Sequence, residues 1–250
     1  VWTVHNLHNH EKRYLTLDHW VGTQVANHAD VVQVWDEQTA NAVCKTYNVP
    51  QTKVVKLPHG NFDSRYKLNT KPDPAAELGV DGYERVYLFF GMIRPYKNVS
   101  TLIRTFQAVS SPTDCLLIAG NPMDGQLRRS VETAAENAVN VYTHLKYIPD
   151  STVPMYFAAA DICVFPYKEI FNSGSILLAM TLGKTFVAPQ KGAIPSIAPE
   201  GNILYEDLNE GLTEARNISD ETLSSVGNVN RGVALMNHNW DDIADRTKQI

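Results

Sequence analysis

The chain has 250 residues, with 22 Lys plus Arg against 27 Asp plus Glu, a formal net charge of −5. Hydrophobic residues make up 44% and charged residues 20%, which excludes a disordered, collagen-like or low-complexity chain and allows one large core or two smaller ones. The mild acidic balance argues against nucleic acid as the main partner, because phosphate backbones are held by clustered Lys and Arg, whereas a small anion needs only a few cations.

Short β-branched runs alternate with helical patterns along most of the chain. The pattern predicts a strand over 1–5, a helix over 13–28, a strand over 31–34, a helix over 37–47 and a strand over 53–57. Residues 67–82, rich in Pro, Asp, Asn and Gly, read as a domain boundary. Strands are then predicted over 86–90, 115–119, 141–144, 162–165, 185–188 and 203–205. Helices are predicted over 98–109, 125–138, 152–159, 173–182, 208–215, 220–236 and 240–249. Such βα alternation implies a parallel sheet with helices on both faces, and ligands in such sheets bind at the carboxyl ends of the strands. Residues 1–67 hold too few elements for a doubly wound unit of their own and read as the back half of one. The expected organisation is therefore 1–67 as part of a first Rossmann-like unit, 68–82 as a linker, 83–236 as a second unit and 237–250 as a closing helix.

Cys44, Cys115 and Cys163 form an odd, widely spaced set, read as reduced thiols in or near the core. No apolar run approaches the roughly 18 residues needed to span a bilayer, and no signal-peptide pattern opens the sequence, so a cytoplasmic location is expected. The first residue is Val rather than Met, which is the pattern of a processed form or a fragment.

Five loops carry candidate chemistry. Gly91-Met-Ile-Arg94-Pro-Tyr-Lys97-Asn98 follows a strand and opens a helix. Gly91 permits a tight turn, and Arg94 with Lys97 at a helix N-terminus suits a diphosphate; two solvated surface cations are the alternative. Glu169-Ile-Phe-Asn172-Ser173-Gly174-Ser175 precedes another helix. Its Ser-Gly-Ser run would expose backbone N–H groups to a phosphate, or form a plain helix cap. Glu169 could hold sugar hydroxyls or be a solvated loop acid. Gly192 allows a backbone to approach a ligand, or belongs to an ordinary turn. The His5-Asn-Leu-His8-Asn-His10-Glu11 run suggests a metal, but it has neither a helical i, i+4 pair nor a Cys partner; polar contact with a hydroxylated ligand, through His5 above all, is the stronger reading. His59 would face an interdomain cleft, as a ligand contact or a hydrogen-bonded structural histidine. No Gly-x-Gly-x-x-Gly, Walker, Gly-x-Ser-x-Gly or His-Glu-x-x-His motif occurs.

Together, residues 89–98, 116–120, 165–180, 183–192 and 201–205 resemble a retaining nucleotide-sugar glycosyltransferase of family 4, with the GT-B fold of two Rossmann-like domains. Residues 54–60 resemble the exit from that family's first domain, 240–244 its closing helix and 1–11 a late strand and loop of the first domain. The resemblance implies that Arg94 and Lys97 stabilise the leaving diphosphate, that Ser173, Gly174 and Ser175 contact phosphate, that Glu169 contacts the donor sugar and that His5 lies beside it. Two acids of the family pattern are missing. The position expected to bind ribose is Leu177 or Leu178, depending on the anchor, and the acid of a Gly-x-Pro-acid turn is replaced by Ser196.

The expected activity is transfer of a hexose-type sugar from a nucleoside diphosphate to a hydroxyl acceptor with retention of configuration. Catalytic candidates are Arg94, Lys97, Glu169 and His5; donor-binding candidates are Gly91, Asn172, Ser173, Gly174, Ser175, Gly192 and His59. The partners would be a nucleotide-sugar donor and a carbohydrate or glycolipid acceptor, with peripheral membrane contact and no nucleic acid. No metal or other cofactor is expected, since cationic side chains face the diphosphate. A nucleotide-sugar-binding fragment without turnover is one alternative; a metal-dependent hydrolase built on His5, His8 and His10 is another.

Overall fold

A computed structural model describes residues 1–8, 14–67 and 73–249. Two parallel sheets organise them. The smaller has three strands, β1 (Trp2–Thr3), β2 (Val32–Val34) and β3 (Val54–Lys56), in the order β1-β2-β3. The connections are α1 (Leu15–His28) and α2 (Glu37–Tyr47). Asp36 starts α2: its carboxylate accepts from Thr39 N at 2.7 Å while the Thr39 hydroxyl accepts from Asp36 N at 3.0 Å, so two otherwise unpaired amides are satisfied. Val4, Val32, Val34, Val43 and Tyr47 form a small core under this sheet.

Past the boundary come α3 (Pro74–Leu78) and β4 (Arg85–Phe90), then α4 (Val99–Val109), β5 (Asp114–Ala119), α5 (Gly125–Ala135) and β6 (Val141–His144). They are followed by α6 (Val153–Ala159), β7 (Ile162–Val164), α7 (Gly174–Thr181), β8 (Thr185–Pro189), α8 (Ile194–Ile197), β9 (Ile203–Tyr205) and α9 (Leu208–Asn217). The six strands lie in the order β6-β5-β4-β7-β8-β9, all parallel. Every residue of β5, β7 and β8 is buried, as strands covered on both faces must be. In α4 the buried residues are Val99, Leu102, Ile103 and Phe106, one apolar stripe at i, i+3, i+4 and i+7. Each such Leu, Ile or Phe stabilises the fold by about 1.5–3 kcal/mol through water exclusion. The wholly buried Ile176–Thr181 stretch of α7 has no polar face, because the sheet covers one side and α10 (Asp220–Asn237) the other.

The strand order fixes where a site can form. The chain runs outward from β4 to β6 on one side, then returns to β7 beside β4 and runs outward on the other. Tyr87 and Leu88 pair with Ile162 and Cys163 across this reversal. Crossover helices leave on opposite faces there, so the loops after β4 and β7 part and leave a crevice.

Two helices differ from the sequence expectation. The stretch expected as a linker holds α3, whose Leu78, with Val80 beyond it, is buried in the larger core. Asp73 caps this helix and Pro74 occupies its first turn, so the Asp-Pro pair marks a helix start rather than a breaker. The Gln190–Pro195 loop around Gly192, expected as a ligand-approach loop or a plain turn, leads at its end into α8 with Pro195 in the first turn. Cys44 is half-buried, and Cys115 and Cys163 are buried; all three are free thiols.

The closing helix, α11 (Trp240–Thr247), returns to the smaller unit. Trp240 Nε1 donates to the Asn61 carbonyl at 2.8 Å, and Arg246 donates to the Lys56 carbonyl at 2.6 Å. Gly60 lies flat under the Trp240 indole: a Cβ there would stand 2.1 Å from the ring.

Candidate active site

The loop after β4 turns at Gly91, whose φ of +124° is open to glycine and strained for other residues. Ile93 pins the loop: its N–H donates to the Asn121 carbonyl at 2.9 Å and its carbonyl accepts from Met123 N at 2.9 Å. Residues Pro95–Lys97 make one 3-10 turn, and Asn98, in the left-handed region at φ 55°, leads into α4. That turn folds the Lys97 side chain inward until it is 8% exposed. Its Nζ lies 5.9 Å from the centre of the Phe89 ring and 5.5 Å from that of Tyr167. Among the described residues no carboxylate pairs with it. Burial, and then the nearby Arg94 guanidinium, push its pKa down to about 8.

The loop after β7 brings the opposite wall. Ser173 caps α7, its Oγ accepting from Ile176 N at 3.2 Å. Gly174 stands in open space at the helix mouth: a Cβ there would find nothing nearer than Phe62, at 3.9 Å. Ser175 turns toward the first loop. A Cβ placed on Gly91 would lie 3.1 Å from Lys97 Nζ and 3.2 Å from Ser175 Oγ. A cation, a hydroxyl and the open mouth of a helix thus converge on one glycine at the switch point. This arrangement can hold a phosphoryl group.

Unmet hydrogen-bonding capacity concentrates here. Among the described residues, the buried side-chain atoms without a partner are His8 Nδ1, the Tyr167 hydroxyl and both amide atoms of Asn172. An unpaired buried polar group costs about 1–3 kcal/mol, so its retention needs a reason. Tyr167 escapes sequence reasoning, because an aromatic residue after an apolar strand looks like ordinary core.

The remaining candidates sit as follows. Arg94, half-buried, has Nε 3.3 Å from Met92 Sδ and lies close enough to Lys97 to disfavour its charge. Glu169 is exposed in the second loop, and His5 is exposed past the end of β1. The tip of the second loop reaches the smaller unit, where Phe171 and Leu7 both pack on its core. Gly192 (φ +56°) approaches protein rather than open space: a Cβ there would stand 2.3 Å from the Ile170 carbonyl, so this glycine buttresses the second loop from behind. His59 lies where the two units meet. Its ring lies 5.0 Å from Trp35, 5.6 Å from Phe62 and 5.6 Å from Trp240, and its carbonyl is 2.8 Å from His238 Nδ1. His8 has its ring 6.5 Å from that of His19, while His10 and Glu11 lie outside the described residues. Leu177 and Leu178, where the resemblance leads one to look for a ribose-binding acid, are buried inside α7. Ser196 Oγ lies 2.5 Å from Asp36 Oδ2, so the position that replaces the second missing acid ties the two units together.

The profile of the family described as Glycosyl transferases group 1 matches residues 84–219. A GDP-mannose:glycolipid 4-beta-D-mannosyltransferase from Xanthomonas campestris pv. campestris is 35% identical over 158 residues, which is 62% of this chain and 45% of that protein. An alpha-maltose-1-phosphate synthase from Mycolicibacterium smegmatis is 24% identical over 253 residues, 92% of this chain and 65% of that protein. The chain therefore spans from under half to just under two thirds of the length of these relatives. Among solved structures, a sucrose-phosphate synthase from Thermosynechococcus elongatus is similar with a TM-score of 0.83 at 21% identity, over 99% of this chain and 65% of that one. Anabaena HepE, in complex with UDP and glucose, is similar with a TM-score of 0.82 at 17% identity, over 99% of this chain and 70% of that one. At these identities the likeness shows the fold, which is of the GT-B type.

Proposed function

The chain belongs to the group 1 glycosyl transferases, and from that premise we propose that it binds a nucleoside diphosphate sugar at the switch point of its larger sheet and transfers the sugar to a hydroxyl acceptor. The observation that carries the proposal is the convergence of Lys97 Nζ and Ser175 Oγ on Gly91, with the Lys97 charge buried and matched by no carboxylate among the described residues. A buried cation without an anion beside it is stabilised when a diphosphate arrives.

Transfer breaks the bond between the anomeric carbon and the diphosphate oxygen, and the electron pair leaves with the diphosphate. Lys97, Arg94 and the amides around Ser173–Ser175 stabilise the growing negative charge without having to reorganise. Asn172, with both amide atoms unpaired, would contact the same group. Glu169 would hold hydroxyls of the donor sugar and His5 would lie beside it. The acceptor would be a carbohydrate or a glycolipid, the latter being the acceptor class in the name of the Xanthomonas relative. A glycolipid acceptor implies peripheral contact with a membrane on its cytoplasmic side; among the described residues no helix is long and apolar enough to cross one. Two side-chain cations already face the leaving group, so turnover should persist in EDTA.

Retention follows if the acceptor approaches from the face the diphosphate leaves, whose oxygen can then take the acceptor proton. Inversion is the second reading, favoured by the β-linkage in the Xanthomonas relative's name, since a β product from an α-linked donor needs attack from the opposite face. The anomeric coupling constant of the product, read by NMR, decides between them.

Calorimetric titration with UDP, GDP and ADP tests binding, and sugar transfer from the matching donor tests turnover. Arg94→Ala should lower kcat by about 10²-fold, the scale of one lost charge-stabilising contact, with an unchanged melting curve. Unchanged turnover in this variant would remove Arg94 from the mechanism. Binding without turnover would instead support a nucleotide-binding module.

A further inference from the structure

We propose that Tyr167 is a positioning residue of this site, its ring seating the Lys97 ammonium and its hydroxyl aligning Ser175 toward the diphosphate. The inference rests on the donor-site reading above and deepens it.

Three observations carry it. First, Tyr167 is 3% exposed, and its ring faces Lys97 Nζ at 5.5 Å, so the cation sits on the ring's negative face. Second, its hydroxyl makes no hydrogen bond, although it is completely buried. Phenylalanine would fill the same space between Phe165 (5.6 Å) and Tyr96 (6.1 Å) without that penalty. Packing alone therefore accounts for the ring and leaves the oxygen unexplained. Third, Ser173 and Ser175 are the side chains that bear on that hydroxyl as hydrogen-bonding groups, without reaching the geometry of a full bond. Ser173 already accepts from Ile176 N as the cap of α7. Ser175 Oγ is the group that shares the Gly91 corner with Lys97 Nζ.

A serine hydroxyl has one proton and two lone pairs. When the Ser175 O–H donates to a phosphoryl oxygen, its lone pairs turn back and can accept from the Tyr167 O–H. Burial pushes the phenol pKa far up, so Tyr167 remains a donor throughout the working range. The chain from Tyr167 to Ser175 to the phosphoryl oxygen is cooperative, each bond polarising the next. The hydroxyl that is unpaired in the fold thus becomes paired when an anion is bound.

Folding and binding should therefore respond in opposite senses. Tyr167→Phe removes an unpaired buried hydroxyl, so its melting temperature should equal or slightly exceed the parent's. The same change should weaken binding of inorganic pyrophosphate, UDP or GDP about 10-fold, the equivalent of one net hydrogen bond. Because the effect runs through Ser175, Tyr167→Phe should add little to Ser175→Ala in the double variant. Calorimetric titration and thermal melts of the parent, both single variants and the double variant supply every readout. If the parent takes up none of the three probes, the donor-site reading itself falls and the inference goes with it. If the parent binds and Tyr167→Phe binds equally well, the hydroxyl's role in aligning Ser175 is overturned while the donor-site reading stands. Affinity that falls in step with melting temperature, or effects of the two single changes that simply add, would likewise overturn it.

Discussion

Replacing Lys97 with methionine is expected to make the protein more stable and nearly inactive. Burial and the neighbouring Arg94 lower the Lys97 pKa from 10.5 to about 8. At pH 7 the amine is protonated in both the folded and the unfolded chain, so the fold carries a buried charge at a cost of about 3 kcal/mol, the shift of roughly 2.5 units at 1.36 kcal/mol each. As pH rises from about 8 toward 10.5, the folded chain gives up the proton while the unfolded chain keeps it. The unfolded state then binds more protons, and stability rises with pH across that window. Methionine has a similar length and no charge, so it removes the penalty at pH 7. For a chain of this length that corresponds to a melting temperature higher by several degrees, on a scale of about 2–4 °C per kcal/mol. The gap between parent and variant should close near pH 10.5, where the parent's lysine is neutral in the fold. Turnover should fall about 10²–10³-fold, as when one preorganised charge contact is lost. Melting curves at pH 7 and pH 10.5, with kcat beside them, check both halves. A parent more stable than the variant at pH 7 would show that Lys97 contributes to folding rather than waiting for an anion.

A group that weakens the fold and is kept is informative about the whole site. Lys97, the Tyr167 hydroxyl and the Asn172 amide are each unfavourable as folded, and all three lie on the two loops at the reversal of strand order. Real sequences break local rules mainly at functional sites. The rest of the larger sheet breaks few. Its central strands are largely apolar runs, and several of its helices carry explicit caps, such as Asp124 for α5 and Ser219 for α10.

That consistency is why the larger sheet was legible in the sequence. Runs such as Cys115–Ala119 have one environment available to them, a strand covered on both faces. The turn at Gly91 and the helix cap at Ser173 were legible too, because a glycine after a strand and small polar residues before a helix have specific backbone uses. Short elements were not. A single turn such as α3 has too little apolar periodicity to register, and its Asp-Pro start also reads as a turn. Long-range pairings were invisible for a different reason. Asp36 and Ser196 lie 160 positions apart, and nothing local to either announces the other. Gly192 and His59 could be read only as glycine and histidine beside a cleft. Whether the close approach was to a ligand, to the Ile170 carbonyl or to a Trp240 indole depended on how loops far apart in sequence were folded together.

The same dependence makes Gly120→Ala the most damaging of the small substitutions open to this site. Gly120 follows β5, and its backbone lies directly against the turn after β4. A Cβ there would stand 2.0 Å from the Gly91 carbonyl oxygen and 2.7 Å from its carbon. Those are backbone atoms, held by the Gly91 N–H donating to the Ala119 carbonyl at 3.0 Å and the Gly120 N–H donating to the His144 carbonyl at 3.1 Å, so no side chain can swing aside. One strand end must move, and forced repacking of this kind costs about 1–3 kcal/mol or more. The larger consequence falls on binding. Gly91 is the corner on which Lys97 Nζ and Ser175 Oγ converge, and misplacing reacting groups by about 1 Å costs roughly 10²-fold in rate. Gly232, half-buried in α10, is the control: a Cβ there meets nothing within 4 Å, and alanine in a helix should stabilise by about 0.5–1 kcal/mol. Thermal melts and diphosphate titration of the two variants should diverge, Gly120→Ala losing several degrees and its nucleotide affinity, Gly232→Ala neither. Parental affinity in Gly120→Ala would mean that the diphosphate is held away from the Gly91 corner, because no relaxation of two paired strand ends leaves that corner where it was.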